Sequence, residues 1–110
     1  MWDTAGPFRS GESLRNALET LGGFRSQLKD LAISPGDVFN LDLQDWYELK
    51  AMLRTSEAVV TAALNRAESR GAHQRIDIPQ TIAGFEKNQR LALMDGTLSS
   101  GWTSVVRCLA

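Results

Sequence analysis

Along two stretches of the chain, hydrophobic residues return every third or fourth position. In the first, Leu14, Leu18, Leu21, Phe24 or Arg25, Leu28 and Leu31 fall in one stripe of an α-helix. Ser10 offers an N-cap, and Glu12 places negative charge in the first turn, where the helix dipole favours it. Gly22-Gly23 weakens this helix by roughly 1 kcal/mol per glycine relative to alanine. Two small residues there also invite close approach of another segment. Ser34-Pro35-Gly36-Asp37 ends the helix and forms a connector.

The second stretch carries Trp46, Leu49, Leu53, Val60 and Leu64 in one stripe, with Tyr47, Met52, Val59 and Ala63 beside it. Asn40 or Asp42 caps this helix, which is predicted to run to Arg70 before Gly71 stops it. At 1.5 Å per residue it is about 43 Å long, and so wide an apolar surface needs partners along that length. The short connector makes the two helices an antiparallel pair.

Met1 to Arg9 is a short lead in which a helix containing Met1, Trp2 and Ala5 stops at Gly6-Pro7. Ala72 to Ala110 is less regular. Asp77-Ile78-Pro79 reads as extended chain, because the residue before proline is pushed out of the helical region. Ile82 to Asn88 is expected to make about two turns of helix. Gln89–Leu93 and Leu98–Val106 suggest a hairpin around Met94-Asp95-Gly96. The fold expected is mainly α, an antiparallel helical bundle over residues 1–79, with an irregular, hairpin-bearing tail over 80–110.

A chain of 110 residues is one domain at most, and 43% hydrophobic residues suffice for one modest core. Twelve basic and thirteen acidic residues leave a net charge of -1, so no field recruits nucleic acid or an anionic membrane. No apolar run approaches the ~18 residues of a membrane span, and the N-terminal residues lack the pattern of a signal peptide. Neither a nucleic-acid partner nor direct membrane insertion is expected. Cys108 is the single cysteine, which excludes an internal disulfide and fits a reducing, cytoplasmic compartment.

Most catalytic constellations fail at inventory. His73 is the only histidine, so no multi-histidine metal site forms within one chain, and one cysteine holds no iron–sulfur cluster. There is no Gly-x-Gly-x-x-Gly fingerprint and no phosphate-binding loop of the Gly-rich Lys-Ser/Thr type. Ser69 with His73 as its base lacks a third group to orient the pair. Catalytic, cofactor and metal residues are therefore expected to be absent. One segment carries concentrated charge: Arg66, Glu68, Arg70, His73, Arg75 and Asp77 place three arginines, one histidine and two carboxylates within twelve residues. Cations at a helix C-terminus complement the dipole, and structural capping is the bland account of them. Arg66 and Arg70 at i,i+4 repel mildly, so each is expected to find an anionic or carbonyl partner elsewhere. Docking onto another protein surface is the second account, direct substrate binding a distant third.

Glu68-Ser69-Arg70-Gly71-Ala72-His73, followed by Arg75, Asp77 and Pro79, resembles the E-S-R-G-A-H-x-R-x-D-x-P signature of succinate dehydrogenase and fumarate reductase flavoproteins. Met1-Trp2 with Gly6 and Arg9 is similar to the M-W-x-x-x-G-x-x-R segment of that family. Asn40, Glu48-Leu49 and Met52-Leu53 resemble its N-x-x-L…E-L-x-x-M-L helix. The resemblance spans Met1 to about Pro79. It implies a non-catalytic C-terminal helical domain that follows FAD-binding and capping domains, where hydride and proton transfer take place. The implied parent is an FAD-dependent oxidoreductase interconverting succinate and fumarate and passing electrons to an iron–sulfur subunit. The chain itself then holds no cofactor. Its partners are the parent's FAD-binding domain and the iron–sulfur subunit, with the parent peripheral at the inner face of a membrane. Arg66, Glu68, Arg70, His73, Arg75 and Asp77 become domain-docking and structural residues. L-aspartate oxidase shares the architecture, but more often has leucine at the position of Ala72. Gln74 departs from the aromatic common after the histidine in both branches. A stand-alone helical interaction module is the other alternative.

In the resembling family a helix precedes the M-W segment and completes a three-helix, spectrin-repeat-like bundle. The chain is therefore expected to be a bundle with its first helix truncated. Trp46, Tyr47, Met52, Val59 and Val60 cannot all face one partner helix. Either the tail from Ile82 to Val106 folds back over the uncovered stripe, or two chains pair as a homodimer, the route favoured here.

Overall fold

The computed structural model describes residues 1–33, 35–36 and 39–106. The order of elements is α1 (Trp2–Ala5), β1 (Phe8–Arg9), α2 (Gly11–Lys29), α3 (Leu41–Asn65), β2 (Gln74–Arg75), a 3-10 turn (Ala83–Phe85), β3 (Lys87–Met94) and β4 (Thr97–Ser104). About half of the chain is helix and about a fifth is strand, so the architecture is mixed α/β rather than mainly α.

Local chemistry explains where the helices begin. Ser10 Oγ accepts from Ser13 N–H at 3.1 Å while Ser13 Oγ accepts from Ser10 N–H at 3.0 Å, a reciprocal cap. Asn40 Oδ1 accepts from Leu43 N–H at 3.0 Å and starts α3. The two helices lie antiparallel and enclose a core of Leu14, Ala17, Leu21, Val60 and Ala63, with Ala5, Leu18, Leu53 and Leu64 packed around it. The predicted stripes thus meet, except that Phe24 and Leu49 are exposed and Leu31 lies beyond the end of α2. At that end Trp46 Nε1 donates to the Leu28 carbonyl at 3.2 Å, occupying one of the acceptors a helix C-terminus leaves open. Gly22 and Gly23 admit no close neighbour: a Cβ on either meets nothing within 4 Å, contrary to the expectation. The predicted stop at Ser34-Pro35-Gly36-Asp37 falls late, since α2 ends at Lys29; Ser34 and Asp37, like Cys108, lie outside the described residues.

Three further expectations are corrected. Helix α3 ends at Asn65, not Arg70, because Arg66 leaves the helical angles and the residues after it take long-range partners. Gly71, at φ +58, serves instead the tight turn closed by paired backbone bonds between Arg70 and His73. Ile82–Asn88 is not two turns of helix: only Ala83–Phe85 coil, and Lys87 already pairs with Ser104. The hairpin is present, its first strand longer than expected and its second ending at Ser104 rather than Val106, and it turns at Asp95-Gly96 with both residues at positive φ, as a tight Asp-Gly turn requires. Asp77 sits in a turn closed by Ile78 N–H to the Arg75 carbonyl at 3.1 Å, so only part of Asp77-Ile78-Pro79 is extended. The hairpin folds back along the C-terminal half of α3, with Asn65 Nδ2 donating to Ser100 Oγ at 3.2 Å. Tyr47, Met52 and Val59 stay exposed.

Candidate functional site

The charged segment after α3 folds into two ionic knots joined by one buried hydroxyl. In the first, Glu68 is fully buried. Its Oε1 accepts from Arg66 Nη1 at 2.7 Å and Arg70 Nε at 2.9 Å. Its Oε2 accepts from Arg70 Nη2 at 3.2 Å and from Ile82 N–H at 2.8 Å. Donation from Arg70, then from Ile82 N–H and Arg66, outweighs burial and holds the Glu68 carboxyl at about 2. The like-charged pair Arg66 and Arg70 therefore converges on one carboxylate. Arg66 also reaches the hairpin: Nη1 donates to the Phe85 carbonyl and Nη2 to the Lys87 carbonyl, both at 2.8 Å. Its guanidinium lies 5.1 Å from the ring centre of Trp102, whose edge packs against Phe85.

In the second knot Arg75, only 4% exposed, makes a two-pronged bond to Asp77: Nε to Oδ1 at 2.8 Å and Nη2 to Oδ2 at 2.6 Å. Asp77 Oδ2 also accepts from Gly11 N–H at 3.0 Å, so the carboxylate caps the first turn of α2. These bonds, Arg75 first, hold the Asp77 carboxyl well below the usual carboxylate range. A Cβ on Gly11 would lie 2.7 Å from Arg75 Nη2 and 3.1 Å from Asp77 Oδ2, so this position needs glycine for the close approach.

Ser69 ties the knots together. Its Oγ accepts from Arg75 N–H at 2.8 Å and donates to the Ile78 carbonyl at 2.7 Å. Its backbone N–H donates to the Gln80 carbonyl at 2.9 Å, and its carbonyl accepts from Thr81 Oγ1 at 2.6 Å. His73 Nε2 lies 3.0 Å from the Arg66 carbonyl, which can only accept, so this nitrogen carries the proton. Burial pushes the His73 pKa down, and the nearby cations Arg9, Arg75 and Arg66 add to that. Neither Ser69 nor His73 points its reactive atom at the other, and the nucleophile reading has no geometry behind it.

All six charged residues singled out from the sequence thus lie in internal bonds. Sequence reasoning missed Gly11, whose position in a helical first turn is a poor one for glycine unless space is short. It also weighed Ser69 only as a nucleophile. What the knots support is a two-stranded parallel sheet, Phe8 opposite Gln74 and Arg9 opposite Arg75, with Ile76 N–H donating to the Arg9 carbonyl at 2.9 Å. Arg75 faces inward. Phe8, on the other face, is 77% exposed, Ile76 just beyond β2 is 68%, and Trp2 of α1 is 79%. Met1, Trp2, Gly6, Pro7, Arg9 and Ala72 border a shallow depression of about 280 Å3 beside it.

The family described as "Fumarate reductase flavoprotein C-term" matches residues 1–97. The chain belongs to this family. It is 37% identical over 81 residues to the fumarate reductase flavoprotein subunit of Helicobacter pylori, covering 73% of this chain and 11% of that protein. It is 34% identical over 111 residues to the L-aspartate oxidase of Synechocystis, covering 88% of this chain and 20% of that one. A structure of the E. coli quinol fumarate reductase FrdA chain superimposes with a TM-score of 0.91 at 29% identity, covering all of this chain and 20% of FrdA. The chain therefore spans a fifth or less of the length of these relatives. Within this family fold no described helix is long and apolar enough to cross a membrane. Among the described residues no group of three His, Cys, Asp or Glu side chains could hold a metal ion.

Proposed function

We propose that this chain is the non-catalytic C-terminal domain of an FAD-dependent flavoprotein that interconverts succinate and fumarate, and that it buttresses the FAD-binding domain. The observation that carries this is the outer face of β1 and β2. On that face Phe8 and Ile76 stand in water, beside an equally exposed Trp2 on α1. The Arg75–Asp77 knot closes the inner face, which leaves the outer face for another body to cover. The charged segment after α3 offers FAD no anchor: the guanidiniums of Arg66, Arg70 and Arg75 already bind carboxylates and carbonyls, which leaves none of them to hold a pyrophosphate. The flavin belongs to the part of the parent outside this chain. The iron–sulfur subunit is the electron partner of that parent, and the domain stabilises the surface to which it binds.

Phe8→Asp with Ile76→Asp in the full-length flavoprotein tests the reading. Flavin content and subunit association should fall, while turnover per assembled enzyme holds. Full flavin content and unchanged association would end the buttress reading. The L-aspartate oxidase alternative rests on the Synechocystis relative. Supplying the parent with fumarate and a reduced dye, or with L-aspartate and an acceptor, separates the two. The succinate–fumarate reaction is the one expected, with no oxidation of L-aspartate, in keeping with Ala72 in the signature.

A further inference from the structure

At the end of the bundle remote from β1 and β2, a groove of about 710 Å3 opens between the C-terminal half of α2 and the N-terminal half of α3, with the hairpin tip at its lip. Its floor is apolar, formed by Leu28, Trp46 and Leu53. Its rim is cationic. Arg25 and Lys29 stand one turn apart on α2, and Lys50 and Arg54 stand one turn apart on α3. No carboxylate among the described residues lines it. Glu57, outside the lining, bonds the guanidiniums of Arg25 and Arg54, each at 2.9 Å, and Lys50 Nζ rests 4.9 Å from the Trp46 ring centre. Like charges at i,i+4 are mildly destabilising, and here they occur on both walls of one groove in a chain of net charge -1.

We propose that this groove docks an acidic polypeptide segment carrying an aromatic or aliphatic anchor. The floor takes the anchor, and the two facing rows of cations match carboxylates spaced along a backbone. A single-headed amphiphile such as a fatty acid offers one charge where the groove, with Glu57 set against Arg25 and Arg54, keeps a net positive charge that includes Lys29 and Lys50. From Trp46 to Asn65 the helix rises about 28 Å, so this site and the β1–β2 face can be filled together.

The probe is a set of short fluorescein-labelled peptides of Glu and Asp with Phe or Leu anchors at varied spacing, titrated against the 110-residue chain by anisotropy. Saturable binding that weakens with added salt is expected. Lys29→Glu with Lys50→Glu should weaken it roughly tenfold or more, and should create binding to the matching Lys-containing peptides. Neither lysine is engaged in an ion pair among the described residues, and unchanged circular dichroism checks the fold; Lys29→Gln with Lys50→Gln serves if the reversal unfolds it. Three results overturn the proposal: no peptide of the set binds, Gln/Asn versions bind equally well, or oleate competes at lower concentration than any peptide. Loss of binding through concentration-dependent self-association would also overturn it, in favour of a second copy as occupant.

Discussion

Replacing Glu68 by glutamine removes one charge from the fully buried centre of the first knot and leaves shape almost unchanged. A folded-state pKa of about 2 against the ordinary 4.5 corresponds to about 3 kcal/mol of stability at neutral pH. Arg70 lies partly in water, which screens its share and brings the figure to about 2 kcal/mol. Glutamine also turns an NH2 toward groups that themselves donate, Arg70 and Ile82 N–H on one oxygen or Arg66 and Arg70 on the other, adding about 1 kcal/mol. Glu68→Gln is therefore expected to lose about 3 kcal/mol, or roughly 13 °C in Tm for a domain of this size. The pH dependence supplies a sign. A depressed carboxylate pKa stabilises above the unfolded value of 4.5, and that contribution is lost as pH falls through about 2. Urea unfolding followed by tryptophan fluorescence at about pH 7 and about pH 3 should therefore show the gap between the two proteins shrinking by about 2 kcal/mol. A gap below about 0.5 kcal/mol at neutral pH, or one of constant size at both pH values, would refute the reasoning.

Gly11→Ala should destabilise by about 1–3 kcal/mol, because its methyl group meets a guanidinium and a carboxylate that are bonded to each other. Gly22→Ala, with nothing nearby, should stabilise by about 0.5–1 kcal/mol; thermal melts of the pair in which both change alike would disprove the packing account. Ser69→Ala should cost about 1–3 kcal/mol, since the buried Arg75 N–H and Ile78 carbonyl both lose a partner, and wild-type stability would show those bonds to be idle. The His73 ring should titrate below its ordinary 6.5 with the proton on Nε2 at neutral pH, so stability from this group declines as pH drops below 6.5; nitrogen-15 NMR showing a raised midpoint would contradict the burial argument. Sedimentation should show concentration-dependent self-association through the exposed side of α3, where Met52 and Val59 lie uncovered; a monomer at all concentrations rejects it.

Local signals in the sequence proved sufficient where one element decides its own shape. Ser10 and Asn40 start their helices because their side chains reach N–H groups three residues on, and Asp95-Gly96 turns because both residues tolerate positive φ. The stripes of α2 and α3 needed only periodicity. The end of α3 was not legible, because Arg66 to Arg70 leave the helix for partners far along the chain: Gln80, Ile82, Phe85 and Lys87. No local propensity encodes those partners. The same holds for β1 and β2, two residues each, which exist only because the lead and the signature segment meet. Of the candidate site, the residue types were readable and the pairing was not. Glu68 serves two arginines that spacing placed on one helix face, and Asp77 binds a glycine that carried no visible charge signal.

That meeting has a consequence for how the domain matures. Asp77 and Gly11 are 66 residues apart, and the β1–β2 ladder closes over the whole helical hairpin. Contacts of such separation pay their loop entropy before they gain anything, so they form after the nearby helical turns have found each other. A ribosome-bound chain that has emerged only as far as α3 has Phe8 but no strand to hold it. The apolar face that we assign to the FAD-binding domain becomes a surface only when the helices beneath it are complete. Recognition of that face by the rest of a flavoprotein would then double as a proofreading step, accepting finished domains and passing over nascent ones.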